Sequence, residues 1–437
     1  MMSATDLLFS IHDETPAIAR GDQLHTRGDI RAAADALAGR LTADGITRFL
    51  VHSDDSFLIV QAILAGADTR ADVFIAHTSL SAEQVEAICQ EQQVQHVLTD
   101  LPASGDIALP AGDRMPGEGR IFMMTSGTTG MPKIASHTLP GLIARAKSGH
   151  RRRPENGGRW LLTYQPTGFA GLQVTLTAAL WGGLLITPAE RTMSGFYQAV
   201  RKWGATHISA TPTFWRSFLM MADPSDLPLQ QITLGGEAAD QATLDRIRRA
   251  FPDLRITHTY ASTEAGVVYA VHDGREGFPA EWLTSPPNGV QLRIIDGFLQ
   301  IRTPNMMKGY VSAQAQPLLE DGWLSTADLA VIEGDRVRIL GRDDSTINVA
   351  GSKVYPLPVE ALILEQPGVV EARVYGVPNP VAGALVAADI VLEAGQEEKA
   401  SRKVILSACR EQLAGYQVPR ILNFVESIAV SASNKKG

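Results

Sequence analysis

Helical and strand patterns alternate along the first hundred residues, and this alternation limits the possible folds more than any other feature of the chain. Residues 29–41 and 55–64 have the hydrophobic periodicity of helices, and the apolar runs Arg48–His52 and Asp72–Ala76 follow them in turn. Alternation of this kind is typical of βαβ units, in which helices cover both faces of a parallel sheet. We therefore predict an α/β fold with parallel sheets.

A helix start signal and a second set of alternating patterns extend this prediction. Ser81 and Gln84 have the spacing of a capping box, which predicts a helix that runs to about Glu91, and the run His96–Thr99 has the composition of a strand. Residues 160–251 repeat the alternation. A large N-terminal domain should therefore consist of successive βαβ layers.

The pattern changes near Asn288. Short strand-like runs separated by turns continue from there to residue 340, which predicts a small β-rich subdomain. From Asp343 a compact α+β pattern begins, with helices expected near residues 358–365 and 401–413. We place a domain boundary between Gly341 and Asp344, which divides the chain into residues 1–341 and 342–437.

Charge and composition exclude several classes of function. The 39 Lys and Arg residues and 47 Asp and Glu residues give a net charge of −8, which argues against a nucleic-acid partner. The longest apolar stretch, residues 172–186, is interrupted by polar residues and falls short of the roughly 20 residues that span a bilayer. The spacing of Cys89 and Cys409 fits no zinc or redox motif, and no basic signal region precedes the first apolar run. We therefore expect a cytoplasmic protein.

A loop of small and hydroxyl residues follows the apolar run at residues 121–124. It consists of Thr125, Ser126, Gly127, Thr128, Thr129 and Gly130, and Lys133 comes shortly after it. The backbone amides of such a loop can approach an anion closely, and the hydroxyls and the lysine add further donors, so the loop predicts a phosphate site. Its spacing is not that of a Walker A motif. Taken alone, the loop could also be an ordinary surface turn.

Further motifs follow this loop in a fixed order. They are residues 235–237 (GGE), 260–264 (YASTE), 304–310 (PNMMKGY), 322–328 (GWLSTAD), 341–344 (GRDD) and 351–354 (GSKV). Together with the loop and His137, this series resembles the adenylate-forming superfamily, which includes acyl-CoA synthetases, adenylation domains of nonribosomal peptide synthetases and beetle luciferase. On this resemblance the chain is identified as a short stand-alone member that acts on an acyl or aryl acid.

The resemblance implies an enzyme that catalyses two half-reactions. A carboxylate attacks the α-phosphorus of ATP and pyrophosphate leaves, and a thiol then displaces AMP from the acyl adenylate. Both steps build negative charge, which amides, hydroxyls and cations stabilise. ATP and Mg²⁺ are the implied cofactors, and the implied thiol is coenzyme A or the pantetheine of a carrier protein.

The resemblance also assigns roles to individual residues. The catalytic residues would be Lys133, Thr263, Glu264 and Lys435, of which Glu264 would also bind Mg²⁺. Tyr260 would stack on adenine, and Asp328 and Arg342 would bind the ribose. The other expected nucleotide-binding residues are the loop at 125–130, Gly236, Glu237, Ala261 and Ser262.

Two of the implied assignments concern the C-terminal domain. Lys435 stands where the family has the lysine that bridges the carboxylate and the α-phosphate, although a lysine so near a chain end is often a solvated tail. In the family this domain rotates between the half-reactions, and we place the hinge at Asp344. Some positions depart from the family pattern: Ala327 and Asn434 replace glycines, and Phe298 and Ala384 replace glutamates.

In the family, the acyl pocket is lined by the segment after the phosphate loop and by the strands that lead to the Gly-Gly and Tyr-x-x-Thr-Glu motifs. On this chain it would be lined by Phe169, Ala170, Gly171, Ser209, Ala210, Thr211, Gly235 and Val267. No Asp lies between Leu161 and Leu180 to pair with the ammonium of an α-amino acid. Small side chains beside one phenylalanine suggest a flat apolar slot, so an aromatic or heteroaromatic acid is our first prediction and a medium-chain acyl group the second.

Two hypotheses from other classes remain open at this point. The departures from the family pattern suit a degenerate nucleotide-binding protein without full turnover. The Thr/Gly loop could also serve a phosphotransferase. Acid-dependent exchange of labelled pyrophosphate into ATP separates these hypotheses, because only an adenylating enzyme catalyses it. The sequence leaves the oligomeric state open.

Overall fold

The structure, a computed structural model, describes residues 13–99, 107–108, 117–125, 131–148, 153–154, 156–311 and 321–428. The helices in this part of the chain are α1 (Arg27–Ala43), α2 (Ser56–Thr69), α3 (Ala82–Glu91), α4 (Leu139–Ser148), α5 (Phe169–Trp181), α6 (Met193–Trp203), α7 (Pro212–Met221), α8 (Gln241–Ala250), α9 (Pro356–Leu364) and α10 (Glu398–Gln412). Short 3₁₀ turns connect several of the other elements.

The strands fall into three consecutive stretches of the chain. The first comprises β1 (Pro16–Arg20), β2 (Gln23–Thr26), β3 (Arg48–His52), β4 (Asp72–Ala76), β5 (His96–Thr99), β6 (Ile107–Ala108), β7 (Arg120–Thr125), β8 (Lys133–Thr138), β9 (Arg159–Leu162), β10 (Leu184–Thr187), β11 (His207–Ala210), β12 (Gln231–Leu234), β13 (Arg255–Ser262) and β14 (Gly266–Val271). The second comprises β15 (Phe278–Pro279), β16 (Gln291–Ile295), β17 (Phe298–Arg302), β18 (Gly309–Tyr310), β19 (Leu324–Glu333) and β20 (Arg336–Arg342). The third comprises β21 (Ile347–Val349), β22 (Ser352–Val354), β23 (Val369–Asn379), β24 (Gly383–Leu392) and β25 (Ile421–Phe424).

Two sheets whose central strands are parallel form the N-terminal part. Their strand orders are β14-β13-β12-β11-β9-β10-β1-β2 and β18-β8-β7-β4-β3-β5-β6, and antiparallel pairs occur only toward the edges of each. Helices α1, α2 and α5 pack between the two sheets. Helices α6, α7 and α8 cover the outer face of the first sheet, and α3 covers that of the second. Helices therefore lie on both faces of each sheet, as the alternating pattern predicted.

Two smaller sheets complete the described fold. The antiparallel sheet β15-β20-β19-β17-β16 is the predicted β-rich subdomain. Strands β21 to β25 form a separate sheet that packs with α9 and α10 around its own core, and this is the C-terminal domain. The α/β class is confirmed. The exact boundary between Gly341 and Asp344 stays a prediction.

Local sequence signals explain where several helices begin. Ser81 accepts a hydrogen bond from the Gln84 amide and the Gln84 side chain accepts one from the Ser81 amide, so the predicted capping box starts α3. Thr26 and Asp29 form a second capping box before α1. No helix in the described residues is long and apolar enough to cross a membrane. Cys89 and Cys409 are both buried and unpaired.

Burial of His207 in the first sheet makes stability depend on pH. His207 is 4% exposed and packs on Trp160 with 4.4 Å between ring centroids, and burial lowers its pKa to about 4. The unfolded chain therefore takes up the His207 proton near pH 6.5 whereas the folded chain does so only near pH 4, and stability falls as pH drops between these values.

We expect His207→Gln to reduce this acid dependence. At pH 5 the His207 contribution amounts to about 2 kcal/mol, so the difference in unfolding free energy between pH 7 and pH 5 should shrink by that order in the variant. Urea denaturation of both proteins at the two pH values measures it. An unchanged difference would show that His207 titrates normally in the folded protein.

Candidate active site

A cavity of about 1800 Å³ lies at the carboxyl ends of the parallel strands of the first sheet and extends to the C-terminal domain. Thr125, Ser209 and Tyr260 reach it from the ends of β7, β11 and β13, and Leu357 and Tyr375 line it from the C-terminal domain. Ligands of open α/β sheets bind at this edge because successive loops converge there. The cavity is therefore the candidate active site.

The predicted phosphate loop is closed by a hairpin. Thr125 ends β7, Lys133 begins β8, and the two residues pair across the antiparallel ladder. The predicted phosphate-binding residues Ser126, Gly127, Thr128, Thr129 and Gly130 lie outside the described residues. The Lys133 ammonium lies 5.8 Å from the centre of the Tyr310 ring, and Lys133 lines the cavity. The hairpin thus brings both ends of the loop to the cavity.

Glu264 contacts a tyrosine that the residue-by-residue prediction did not include. The Tyr310 hydroxyl donates a hydrogen bond to Glu264 Oε1, and the Met307 amide donates to the Glu264 carbonyl at 2.8 Å. Strand β18 pairs with β8 and so carries Tyr310 beside Lys133. Burial and the Glu264 carboxylate raise the pKa of Tyr310, so it remains a donor at neutral pH. Its position at the end of the motif 304–310 was a signal that sequence reasoning could have used.

The oxygen chemistry at this point fits Mg²⁺. Mg²⁺ is usually held by one or two carboxylates together with substrate phosphates, and Glu264 lines the cavity near both ends of the phosphate loop. Within the described residues, no group of three or more His, Cys, Asp or Glu side chains could hold a metal ion. Glu264 would therefore hold Mg²⁺ together with the phosphates of a bound nucleotide.

His137 is a neutral imidazole between Glu264 and the acyl wall. It is 3% exposed, its ring centre lies 6.2 Å from that of Phe169, and its Nε2 has no hydrogen-bond partner among the described residues. Burial lowers its pKa to about 4, although the nearby Glu264 acts in the opposite direction. The ring is therefore uncharged at neutral pH and adds no positive charge beside Glu264.

The predicted adenosine residues lie together. The Tyr260 ring stacks on Tyr269 at 5.3 Å between centroids, and its hydroxyl donates to Asp328 Oδ2. Asp328 and Arg342 are direct partners across strands β19 and β20. The Arg342 side chain is 59% exposed, and its Nε lies 3.3 Å from Asp344 Oδ1. An aromatic ring, a carboxylate and a guanidinium thus converge on one part of the cavity.

The Gly-Gly-Glu segment is fixed by contacts with its neighbours. Glu237 Oε2 accepts hydrogen bonds from the amide and hydroxyl of Thr213 at 3.2 and 2.8 Å. The Gly235 carbonyl accepts one from the Tyr164 hydroxyl at 3.0 Å. Gly236 has a φ of +84°, a conformation that favours glycine. Ala261, Ser262 and Thr263, for which nucleotide binding or catalysis stays a prediction, also line the cavity.

Most of the predicted acyl-pocket residues reach the cavity. They are Phe169, Ala170, Gly171, Ser209, Gly235 and Val267. Ala210 and Thr211 do not line it: Ala210 is completely buried, and the Thr211 hydroxyl caps α7 by accepting a hydrogen bond from the Phe214 amide at 3.0 Å. These two residues are buried in the packing around β11 and the start of α7 instead of lining the cavity.

Packing explains why Gly171 is a glycine. A Cβ at this position would lie 2.0 Å from the Gln165 carbonyl oxygen, so a side chain would collide with the loop before α5. The absence of a side chain at Gly171 therefore does not by itself widen the pocket. Ala170, Ser209 and Val267 line the same cavity as Phe169 and carry small side chains.

The structure describes the predicted hinge residue of the C-terminal domain but not the predicted catalytic lysine. Asp344 lies in the 3₁₀ turn Asp343–Ser345 directly after β20, with its side chain 57% exposed. Lys435 lies outside the described residues.

Comparison with known protein families identifies the family of this chain. Residues 110–311 match the sequence model of the AMP-binding enzyme family, and residues 358–435 match that of the AMP-binding enzyme C-terminal domain. The chain belongs to the AMP-binding enzyme family. A probable 2-succinylbenzoate–CoA ligase of Mycobacterium tuberculosis (strain H37Rv) is 30% identical over 66% of this chain and 75% of that protein. A sulfoacetate–CoA ligase of Cupriavidus necator is 27% identical over 77% and 69%, respectively.

Solved structures of AMP-binding enzymes share the fold over nearly the whole chain. An anthranilate CoA ligase in complex with anthranoyl-AMP superimposes with a TM-score of 0.83 at 18% identity, covering 99% of this chain and 95% of that one. The Bacillus subtilis o-succinylbenzoate CoA synthetase with its acyl-adenylate gives 0.76 at 22% identity, covering 100% and 96%. The family resemblance predicted from the motifs is thus confirmed. This member of the AMP-binding enzyme family is an AMP-forming acid–thiol ligase.

Proposed function

We propose that this ligase activates an aromatic or heteroaromatic carboxylic acid with ATP and transfers the acyl group to coenzyme A. The observation that carries the choice of acid is the cavity wall around Phe169, where the described residues Ala170, Ser209, Ala261 and Val267 are small and uncharged. Such a wall suits a planar ring. No Asp lies between Leu161 and Leu180, around Phe169 in the sequence, to pair with the ammonium of an α-amino acid, which would lose hydration without a partner.

The names of relatives support the same choice. The 2-succinylbenzoate and anthranilate ligases are named for acids that contain an aromatic ring. The sulfoacetate ligase is not, so the family relationship alone does not decide the substrate. A medium-chain acyl group remains the second candidate, because the same apolar wall would also accept an alkyl chain.

Gln165 favours a ring that carries a hydrogen-bond donor. It lines the cavity, and its side-chain oxygen is buried without a hydrogen-bond partner among the described residues. A buried acceptor left unpaired costs about 1–3 kcal/mol. A ring N–H, amino or hydroxyl group of the substrate would satisfy it, which supports a heteroaromatic or substituted aromatic acid over an unsubstituted one.

The chain's own residues would position the reactants for the first half-reaction. Tyr260 would stack on adenine, and Asp328 would exchange its hydrogen bond from Tyr260 for bonds from the ribose hydroxyls, with Arg342 beside it. Residues 125–130 and Lys133 would hold the phosphates, and Glu264 would hold the Mg²⁺ that shields their charge. Lys435 would neutralise the charge that develops between the carboxylate and the α-phosphate.

The acceptor thiol follows from the ligase class. Coenzyme A is our proposal because the curated relatives are CoA ligases, and a carrier-protein pantetheine is the alternative. The cytoplasm remains our expectation for the compartment, because coenzyme A chemistry and two unpaired cysteines both suit a reducing environment.

Pyrophosphate exchange over a panel of acids tests the proposed function. The panel should contain benzoic acids with and without amino or hydroxyl groups, heteroaromatic acids, medium-chain fatty acids and amino acids. We expect exchange into ATP with the ring-bearing acids, and formation of an acyl-CoA when coenzyme A is added. Exchange only with fatty acids would reject the aromatic proposal, and no exchange with any acid class would reject adenylation.

Replacing Glu264 by glutamine tests the metal assignment. The change removes the negative charge at nearly constant volume. Loss of a residue that only supports a metal ligand already lowers activity about tenfold or more, so we expect the rate of pyrophosphate exchange at low Mg²⁺ to fall at least about tenfold when the ligand itself is lost. Excess Mg²⁺ should restore part of the rate. Glu276→Gln, which removes another carboxylate from the cavity wall, is the control. Wild-type rates of Glu264→Gln at low Mg²⁺ would show that Glu264 holds no metal.

A further inference from the structure

Arg216 forms a buried polar cluster between the two domains. It lies on α7 in the N-terminal part and is only 3% exposed. Its Nη1 donates to Asp240 Oδ2 at 3.0 Å and to Thr243 Oγ1 at 2.8 Å, and its Nη2 donates to Thr213 Oγ1 at 3.0 Å. Asp240 is itself the N-cap of α8. These contacts within the large domain hold the guanidinium in one place.

The remaining donors of Arg216 reach the C-terminal domain. Nε donates to Glu371 Oε2 at 2.9 Å and Nη2 donates to Glu371 Oε1 at 2.8 Å, so the guanidinium and the carboxylate make two parallel hydrogen bonds. Glu371 lies on β23 and is 5% exposed. Each of the five N–H donors that a guanidinium carries thus has an acceptor, two of them across the domain interface.

The cluster also touches the nucleotide side of the cavity. Thr213 accepts from Arg216 and donates from its hydroxyl to Glu237 Oε2 at 2.8 Å. Glu237 belongs to the Gly-Gly-Glu segment and lines the cavity. A continuous path of hydrogen bonds therefore runs from Glu371 in the C-terminal domain, through Arg216 and Thr213, to a residue of the proposed nucleotide site.

Because the Arg216–Glu371 ion pair is buried, breaking it costs far more stability than breaking a surface pair. Removing one partner of a buried pair leaves an uncompensated charge and is strongly destabilising, whereas exposed pairs contribute little to stability. The same interface contains an exposed pair, Arg246 with Glu393 at 2.9 Å, whose side chains are 27% and 47% exposed. The two pairs form a natural comparison between a buried and an exposed link.

We propose that Arg216 and Glu371 are positioning residues that hold the C-terminal domain in the orientation of this structure and connect that orientation to Glu237. The inference rests on the proposed two-step function, in which the domain adopts different orientations for the two half-reactions. When the domain rotates, Glu371 withdraws and Asp240 remains as the countercharge of Arg216. The orientation in this structure therefore has a defined hydrogen-bond set whose loss favours the other orientation.

Two variants and one matched control test the proposal. Glu371→Gln keeps the shape but removes the charge. The double variant Arg216→Met with Glu371→Leu removes both charges of the pair and leaves Asp240 with its hydrogen bonds from the Thr243 amide and hydroxyl. Glu393→Gln breaks the exposed pair across the same interface. In each protein, pyrophosphate exchange and acyl transfer from preformed acyl adenylate to coenzyme A are measured separately, and folding is checked by thermal unfolding.

We expect the ratio of the two half-reaction rates to change about tenfold or more in both Arg216–Glu371 variants and to stay at the wild-type value in Glu393→Gln. A merely structural role would lower both rates together and leave the ratio unchanged, which would overturn the proposal. If the wild-type protein shows no pyrophosphate exchange at all, the proposed function fails. The positioning role can still be tested in that case by measuring the distance between the two domains.

Distances between spin labels report the orientation directly. Ile332→Cys in the β-rich subdomain and Val381→Cys in the C-terminal domain place labels at positions that are 54% and 93% exposed, whereas the native cysteines Cys89 and Cys409 are buried. We expect Glu371→Gln to shift the distance distribution away from the wild-type maximum and Glu393→Gln to leave it in place. An unchanged distribution in Glu371→Gln would overturn the proposal independently of any activity.

Discussion

Replacing Lys435 by alanine should abolish acyl-adenylate formation while ATP binding changes no more than a few-fold. A lysine that acts on charge developing in the transition state contributes little to ground-state binding, so the loss should appear in the rate. Removal of a single donor to such charge costs about 10²–10³-fold in rate. Pyrophosphate exchange measures the rate, and equilibrium binding of ATP measures the affinity.

The neighbouring residue supplies the control for this experiment. Lys436 carries the same charge one position further along, where the family resemblance assigns no role. We expect Lys436→Ala to retain exchange close to the wild-type rate. Equal losses in both variants would mean that only the general charge of this segment matters, and full activity of Lys435→Ala would refute the assignment of the catalytic lysine.

Replacing Asp344 by proline should separate the two half-reactions. Asp344 lies in the exposed 3₁₀ turn between β20 and the sheet of the C-terminal domain, where few contacts resist a change of backbone dihedrals. Proline fixes its own φ and restricts the residue before it, so the domain should remain in one orientation. We expect one of the two activities to survive and the other to be lost, as measured in a single preparation.

Asp344→Ala is the matched control for the hinge. It removes the contact with Arg342, which is 3.3 Å in this structure, but leaves the backbone free to rotate. Both half-reactions should therefore persist in Asp344→Ala. If Asp344→Pro also retains both, the hinge lies elsewhere, and the boundary between Gly341 and Asp344 loses its main support.

Local patterns predicted most of the fold, because the signals that define a helix start or a buried strand lie within a few residues. The capping box of Ser81 and Gln84 is one example. Strands β1 and β2 were not predicted, because the contacts that define β1 are not local in the sequence. The short run Pro16–Arg20 becomes a strand because β10 pairs with it from a distant part of the chain, and no local periodicity records such a partner.

The sequence predicted the cavity residues that belong to motifs, but not those whose positions depend on tertiary packing. Glu264, Tyr260 and Asp328 lie at the cavity as the motif series predicted. Ala210 and Thr211 are buried instead of lining the cavity, because a motif does not show which side chains the packing around β11 and α7 buries. Arg216 and Glu371 are 155 positions apart and belong to different domains, so their contact follows only from the tertiary structure.

The position of β1 between β10 and β2 has a consequence for how the protein is made. Ile18 pairs with Leu185, so the ribosome must synthesise the intervening chain before the first strand finds its parallel neighbour. At about 5–20 residues per second this delay is roughly 10–30 s. During that time the apolar residues of β1 can contact β2 and the already synthesised helices α1 and α2, but not their parallel neighbour β10. We therefore expect nascent fragments that end before residue 184 to depend on chaperones more than the finished chain does.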